Sequence, residues 1–438
     1  MADAFFAAPS CGPAIPDFAT TAEALVNGFV AADQFAGVVL VASGDAIHLR
    51  QAFGLADREW QTAHRIESKF RLGSLTKQFT AAAILQLMEK GALSLDDPIT
   101  RHYSAAPEAW RHVHLMHLLT HTSGIPSYTS QPGFFEKGAL FEQTPEEIIA
   151  LTRELPLLFQ PGTHFKYNNG GYVLLGHVIE RLTGQTYESY LQQNLLRPLG
   201  LDDTGYEHTD ALIPFRARGY RFANGGIENA TYIAMSVPYA AGSVYSTADD
   251  LLAWLKALKQ ARPLNASSVA LMIADHGQGY GMGFAVQSQF GHRHLVHAGG
   301  INGFSVVLSH YPETDTTFLV LANIQGAPVQ KIARDLAAVY FGADQTLEEV
   351  TLDPALLADY VGTYALEGKR LRVSQKGARL FAEWAGQIEQ EMIAEDDHHF
   401  RAKWSDWSLS FEADGVALAS RATLTLEGRS WSGPRVEE

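Results

Sequence analysis

The sequence predicts an α+β fold: an antiparallel sheet flanked by helices, an inserted helical subdomain, and an antiparallel β-barrel at the C-terminal end. Three observations lead there. Apolar strand-like runs lie near both ends of the stretch up to residue 342, and the segment between them reads as helical. Beyond Asp344 the pattern changes to short alternating runs that hold four of the seven tryptophans, Trp384, Trp404, Trp407 and Trp431.

The sheet begins with an apolar run, Gly37 to Ala42. Ser43-Gly44-Asp45 then turns the chain into Ala46 to Arg50, because Gly-Asp between two apolar runs suits a tight hairpin. Thr76 to Lys90 reads as a helix that is apolar on most sides and therefore buried, with Gly91 as its C-terminal cap. Residues 98–270 read as helical pieces cut by Pro and Gly turns. Strands return at Gly281 to Val286, His294 to His297, Gly303 to Ser309 and Thr317 to Ala322, followed by a helix from Val329 to Phe341. In the tail, Arg370 to Ser374, Arg379 to Trp384, Trp407 to Phe411 and Ala422 to Leu426 are spaced as barrel strands. The expected domains are 1–348 and 349–438, since 438 residues exceed what one hydrophobic core sustains.

Composition narrows the function. Hydrophobic residues make up 46% and charged residues 18%, a globular balance. The formal net charge of -15, with no block of Lys and Arg, disfavours nucleic acid and anionic membranes as partners. The single Cys11 excludes an intramolecular disulfide. No run approaches the roughly 18 apolar residues of a membrane span. Met1 to Ser10 is too short for a signal peptide and carries Asp3. The chain as written is therefore expected to be cytoplasmic, or periplasmic if a signal peptide has been removed. Oligomeric state is not legible.

Three short patterns carry chemistry. Ser74 and Lys77 stand three apart at a helix N-terminus, which puts both on one face of a turn. A serine hydroxyl is a weak nucleophile and needs a base; a desolvated lysine beside it can serve. The helix N-terminus adds free backbone N–H groups where an oxyanion would form. Tyr167-Asn168-Asn169 precedes Gly170-Gly171 in a tight turn that can push side chains into a cleft, and a close ammonium would lower the phenol's pKa. His297-Ala298-Gly299-Gly300 ends a strand, where small residues admit a substrate backbone and an edge N–H can face Ser74. Each pattern alone recurs by chance.

In this order and spacing the three patterns resemble the active-site signature of the penicillin-recognising serine hydrolases: class C β-lactamases, D-alanyl-D-alanine carboxypeptidases, D-aminopeptidases and related esterases (peptidase S12-like). The resemblance covers about residues 20–342. Phe70 to Lys77, Leu118 to Gly124, Phe159 to Gly162, Pro198 to Leu201 and Gly242 to Leu251 also match. The tail is similar to the lipocalin-like barrel of some peptidases in this group.

The resemblance implies that Ser74 is acylated and that Lys77 and Tyr167 move the proton. It implies that Asn169 binds the acyl side chain and that the N–H groups of Ser74 and Gly300 hold the oxyanion. His297 and Gly299 would face the substrate. At His297 the chain departs from the Lys-Thr-Gly usual in the β-lactamases, losing a fixed cation for an imidazole expected to titrate near neutrality. His-x-Gly points to the peptidase branches. The expectation is a peptidase of the D-aminopeptidase or carboxypeptidase type, acting without cofactor or metal on a small molecule or short peptide with an amide or ester bond. The alternatives are a short-chain carboxylesterase, a weak β-lactamase, or a non-catalytic binding protein on the same fold.

Other signals are set aside. His112, His114, His117 and His121 cluster, but lack the His-Glu-x-x-His pattern of a zinc site. Asp396-Asp397-His398-His399 reads as a solvated hairpin turn. No Gly-x-Ser-x-Gly elbow, phosphate loop or dinucleotide fingerprint occurs. The loops at 129–141 and 219–239 are expected to shape the pocket.

Overall fold

The hairpin at Gly44 and Asp45 joins strands β1 (Gly37–Ser43) and β2 (Ala46–Phe53), with Gly44 in the left-handed region at φ 55°. In the computed structural model, residues 14, 16–343, 349–412, 418–426 and 428–436 are described. Cys11 lies outside them, and the expected domain boundary borders residues 344–348, which also do.

β1 is central. It pairs with β2 on one edge and on the other with a strand nearly three hundred residues on, with Gly37 opposite Ala322 and Ser43 opposite Thr316. The full sheet adds β3 (Ala285–Gln289), β4 (His292–Ile301), β5 (Phe304–Tyr311) and β6 (Thr316–Ala322), in the order β3-β4-β5-β6-β1-β2, all antiparallel. β1, β5 and β6 are buried along their whole length, without alternation, because both sheet faces are covered. Val38 and Leu40 enter the core beneath the buried helix, with Leu308 and Leu319. Val39 and Val41 enter the opposite core, beneath α1 (Phe18–Ala31) and the last helix of the hydrolase region, Val329–Phe341.

The buried helix, α2 (Thr76–Glu89), is sealed by protein along nearly its whole length, and Gly91 follows its end at φ 70° as expected. Two sequence expectations shift. The strand expected at Gly281 to Val286 starts only at Ala285. Gly281 turns back on Phe284, and Gly283 sits at φ 80° against the backbone of Lys77 and Gln78, where a Cβ would come within 2.9 Å of Gln78. The middle region is also not purely helical. It contains a hairpin, Tyr220–Ala223 with Gly226–Asn229. A three-stranded ribbon also joins Phe70–Arg71, Val244–Ser246 and Gly205–Tyr206.

The C-terminal region forms a closed antiparallel barrel of eight strands, from Gly362–Leu366 to Arg429–Val436. Trp384 and Trp407 lie in its core and Trp431 packs against them. Trp404 does not. It leaves the barrel and packs edge-on against Phe29 of α1 at 5.0 Å, where Gly28 leaves room for it. Asp396 to His399 form the turn between two barrel strands, with Asp396 accepting the backbone N–H groups of His398 and His399. Among the described residues no helix is long and apolar enough to cross a membrane.

Candidate active site

Ser74 lies on a single helical turn, Gly73–Leu75, that feeds directly into α2. Gly73 has φ 50°, and a Cβ there would fall 2.9 Å from the carbonyl oxygen of Gly300. The Ser74 turn and the end of β4 thus meet backbone to backbone. Gly299 must be glycine for the same reason, since its Cβ would stand 1.9 Å from the Leu72 carbonyl oxygen. Gly300 opens instead onto the cleft. The pairing of β3 with β4 stops at Val296, so one edge of β4 is free of a strand partner from His297 onward.

Lys77 is completely enclosed. Its Nζ lies 3.0 Å from Ser74 Oγ, 2.9 Å from Asn169 Oδ1 and 2.9 Å from the carbonyl oxygen of Ala241. Burial pulls its pKa well below the usual amine value, which favours the free amine. A free amine has two N–H donors and one lone pair. In that form the two carbonyl oxygens can take both donors, which leaves the lone pair for the Ser74 hydroxyl. The Tyr167 ring centroid is 4.9 Å from Nζ, and the neighbouring Ser74 side chain tempers the rise of the phenol's pKa. The ring is 37% exposed, but its hydroxyl end is enclosed, and burial pushes the phenol above its ordinary range. The expected ammonium that lowers a phenol is therefore not what burial favours: desolvation penalises both charged forms, raising the phenol and lowering the amine.

Asn169, expected to bind the acyl side chain, lines the cleft but also orients Lys77. His297 departs further from expectation. It does not line the cleft, is 7% exposed, and burial holds it at about 3, far below the expected titration near neutrality. Its Nε2 lies 3.0 Å from the Tyr280 hydroxyl, which lies 3.2 Å from His121 Nε2.

The proton order in this chain is determined at both ends. His121 Nδ1 accepts the backbone N–H of Asn168 at 3.1 Å, so its proton is on Nε2 and is donated to Tyr280. His297 Nδ1 donates to the Ala298 carbonyl at 2.7 Å, so its Nε2 accepts from Tyr280. Burial also pulls His121 well below its usual value, and its ring packs 4.2 Å from that of Tyr167. Of the histidine cluster, His121 alone reaches this wall; His114 and His117 stack on each other at 5.1 Å. Tyr280 was not signalled by the sequence, where it falls among glycines at a strand start.

The cleft over Ser74 encloses about 190 Å³. Its apolar lining includes Tyr128, Phe134, Phe135, Ile233, Val237 and Ile301. The segments at 129–141 and 219–239 do shape it.

Comparison with known proteins places these features in a family. The family model described as "Beta-lactamase" matches residues 22–341. Penicillin-binding protein 4* of Bacillus subtilis (strain 168) is 28% identical over 406 residues, covering 84% of this chain and 88% of that protein. The octameric penicillin-binding protein homologue from Pyrococcus abyssi is 25% identical, with a TM-score of 0.67, covering 94% of this chain and 99% of that one. The D-stereospecific amidohydrolase from Streptomyces sp. is 26% identical, with a TM-score of 0.62, covering 74% of this chain and 99% of that one.

Proposed function

The chain belongs to the Beta-lactamase family, and on that premise we propose that it hydrolyses an amide or ester bond through an acyl-Ser74 intermediate, as a peptidase of the D-aminopeptidase or carboxypeptidase type. The observation that carries this reading is the contact of Lys77 Nζ with Ser74 Oγ at 3.0 Å, in an enclosed site where burial favours the free amine.

In the proposed reaction Lys77 Nζ takes the Ser74 proton as Oγ bonds to the substrate carbonyl carbon. The resulting oxyanion is held by the backbone N–H groups of Ser74 and Gly300, which face the same cleft. As the tetrahedral centre collapses, the Tyr167 hydroxyl protonates the departing nitrogen or oxygen and recovers a proton from Lys77. Water then attacks the acyl-enzyme by the reverse proton path. Asn169 and the Ala241 carbonyl keep Lys77 aimed throughout. The apolar walls favour an acyl group with an aromatic or aliphatic side chain. The likeness to a D-stereospecific amidohydrolase supports D-configured amides as first substrates.

Fluorophosphonate labelling of the wild type and of Ser74→Ala tests the nucleophile. Labelling only of the wild type is expected, and equal labelling would overturn the assignment. A panel of D-amino acid p-nitroanilides, p-nitrophenyl esters and a chromogenic cephalosporin then separates peptidase, esterase and β-lactamase. An amide turned over no faster than the cephalosporin would overturn the peptidase reading.

A further inference from the structure

A second cavity, of about 330 Å³, adjoins the Ser74 cleft and shares Ile233 and Asn302 with it. Arg71, Arg216 and Arg218 line it, and none of its lining residues is acidic. In a chain with a net charge of -15 this concentration of cations is anomalous. Its construction explains how it persists. Arg71 reaches Glu207 with Nη2 at 2.7 Å and Nε at 3.1 Å, and Arg216 bonds the same carboxylate, which is completely buried. Two guanidinium groups on one carboxylate leave one positive charge over. Phe304 braces Arg71, its ring centroid 5.8 Å from the guanidinium carbon. Arg218 has only exposed partners, Glu59 at 3.3 Å and the Asn229 side chain at 3.0 Å, and such a surface pair is readily exchanged for another anion.

The wall is rigid where it meets the cleft. Asn302 donates to the backbone and side-chain oxygens of Thr231, at 3.1 and 2.9 Å. The Gly219 and Gly303 backbones touch, leaving no room for a Cβ at either. The groove continues into a third cavity of about 850 Å³ that shares Arg216 and Arg218 and is flanked by exposed Trp60 and Phe215. A substrate lying from Ser74 past Asn302 therefore meets an apolar cleft, then cations, then aromatic rings.

We propose that this enzyme selects extended peptide substrates with a carboxylate placed beyond the apolar acyl pocket, and that Arg71, Arg216 and Arg218 bind that carboxylate. Position 297, held neutral by burial and bonded to Tyr280 rather than lining the cleft, supplies no cation there, so anion recognition falls to the arginine-lined cavity. The inference rests on the acyl-Ser74 reading.

Short D-configured peptide esters with one Glu scanned through successive positions, each paired with its Gln isostere, test it. At one position kcat/KM for Glu should exceed that for Gln by at least about tenfold. That ratio should fall to within about twofold in Arg218→Glu, whose folding is checked by thermal melting, and in the wild type at high salt. The salt arm stands even if the variant fails to fold. Glu and Gln turned over alike at every position, or a preference unmoved by salt, overturns the inference while leaving acyl transfer intact. If neither ester acylates Ser74, the hydrolase reading itself fails, and this inference with it.

Discussion

The Ser74 cleft and the arginine-lined cavity share a wall, yet they treat charge in opposite ways. Around Ser74, burial works against every ionised form: Lys77 is drawn toward the free amine, Tyr167 toward the neutral phenol, and His121 and His297 toward neutral imidazole. Among the described residues no carboxylate pairs with Lys77 to offset the desolvation. Next door Glu207 is buried between Arg71 and Arg216, whose guanidinium groups reach solvent. The difference separates two tasks. A proton-transfer site needs groups that change protonation easily, whereas a recognition site needs charge that does not change.

Placing permanent charge in the neutral cleft should have the largest effect. Lys77→Arg puts a fixed cation where the amine stood and removes the lone pair, and kcat/KM for an activated ester should fall about a thousandfold. A loss of less than tenfold would mean that Lys77 acts as a fixed charge, and the contrast between the cavities would collapse. The converse change removes the buried anion from the charged cavity. Glu207→Gln leaves two guanidinium groups without their shared partner and should cost about 3 kcal/mol in urea unfolding. An unchanged midpoint would show that Glu207 does not hold the arginines in place.

Tyr280→Phe tests the neutral wall behind Tyr167. It strips a donor from His297 and an acceptor from His121 while filling the same space. The expected result is a fall in kcat of about tenfold with KM little changed. A change confined to KM would place Tyr280 in substrate binding instead. The smallest effect concerns His297. Held at about 3, it should give kcat/KM no inflection between pH 5 and 8, and His297→Gln should leave the shape of the profile unaltered. Stability should respond instead. The unfolded imidazole takes up a proton below its ordinary value of 6.5, and the folded one only near 3. Its contribution is complete above 6.5 and is lost as pH falls toward 3, by up to about tenfold in the folding equilibrium per pH unit. Acid unfolding followed in the wild type and in His297→Gln reads this directly.

The parts of the site legible in the sequence are those set by local geometry. Ser74 and Lys77 are one helical turn apart, so their proximity follows from spacing alone, whereas Asn169 to Gly171, expected as a tight turn, open a helix capped by Asn168. The hairpin at Gly44 and the helix Val329–Phe341 were legible for the same reason. The protonation states were not. The chain from His121 through Tyr280 to His297 spans 159 positions in its first step and 17 in its second, and no local pattern marks Tyr280 as its centre. The positive cavity was equally hidden. Its charge comes from Arg71 and from Arg216 and Arg218 on a distant loop, with Glu207 holding Arg71 and Arg216 together.

By itself, then, the sequence determined the residue types, their order and the elements that carry them, because hydrophobic period and turn chemistry act over a few residues. Tertiary structure decided which of those groups hold charge. Desolvation depends on everything packed around an atom, and at Lys77 those neighbours come from the Ser74 turn, the start of the helix at Asn169 and the chain at Ala241, brought together only when the sheet closes.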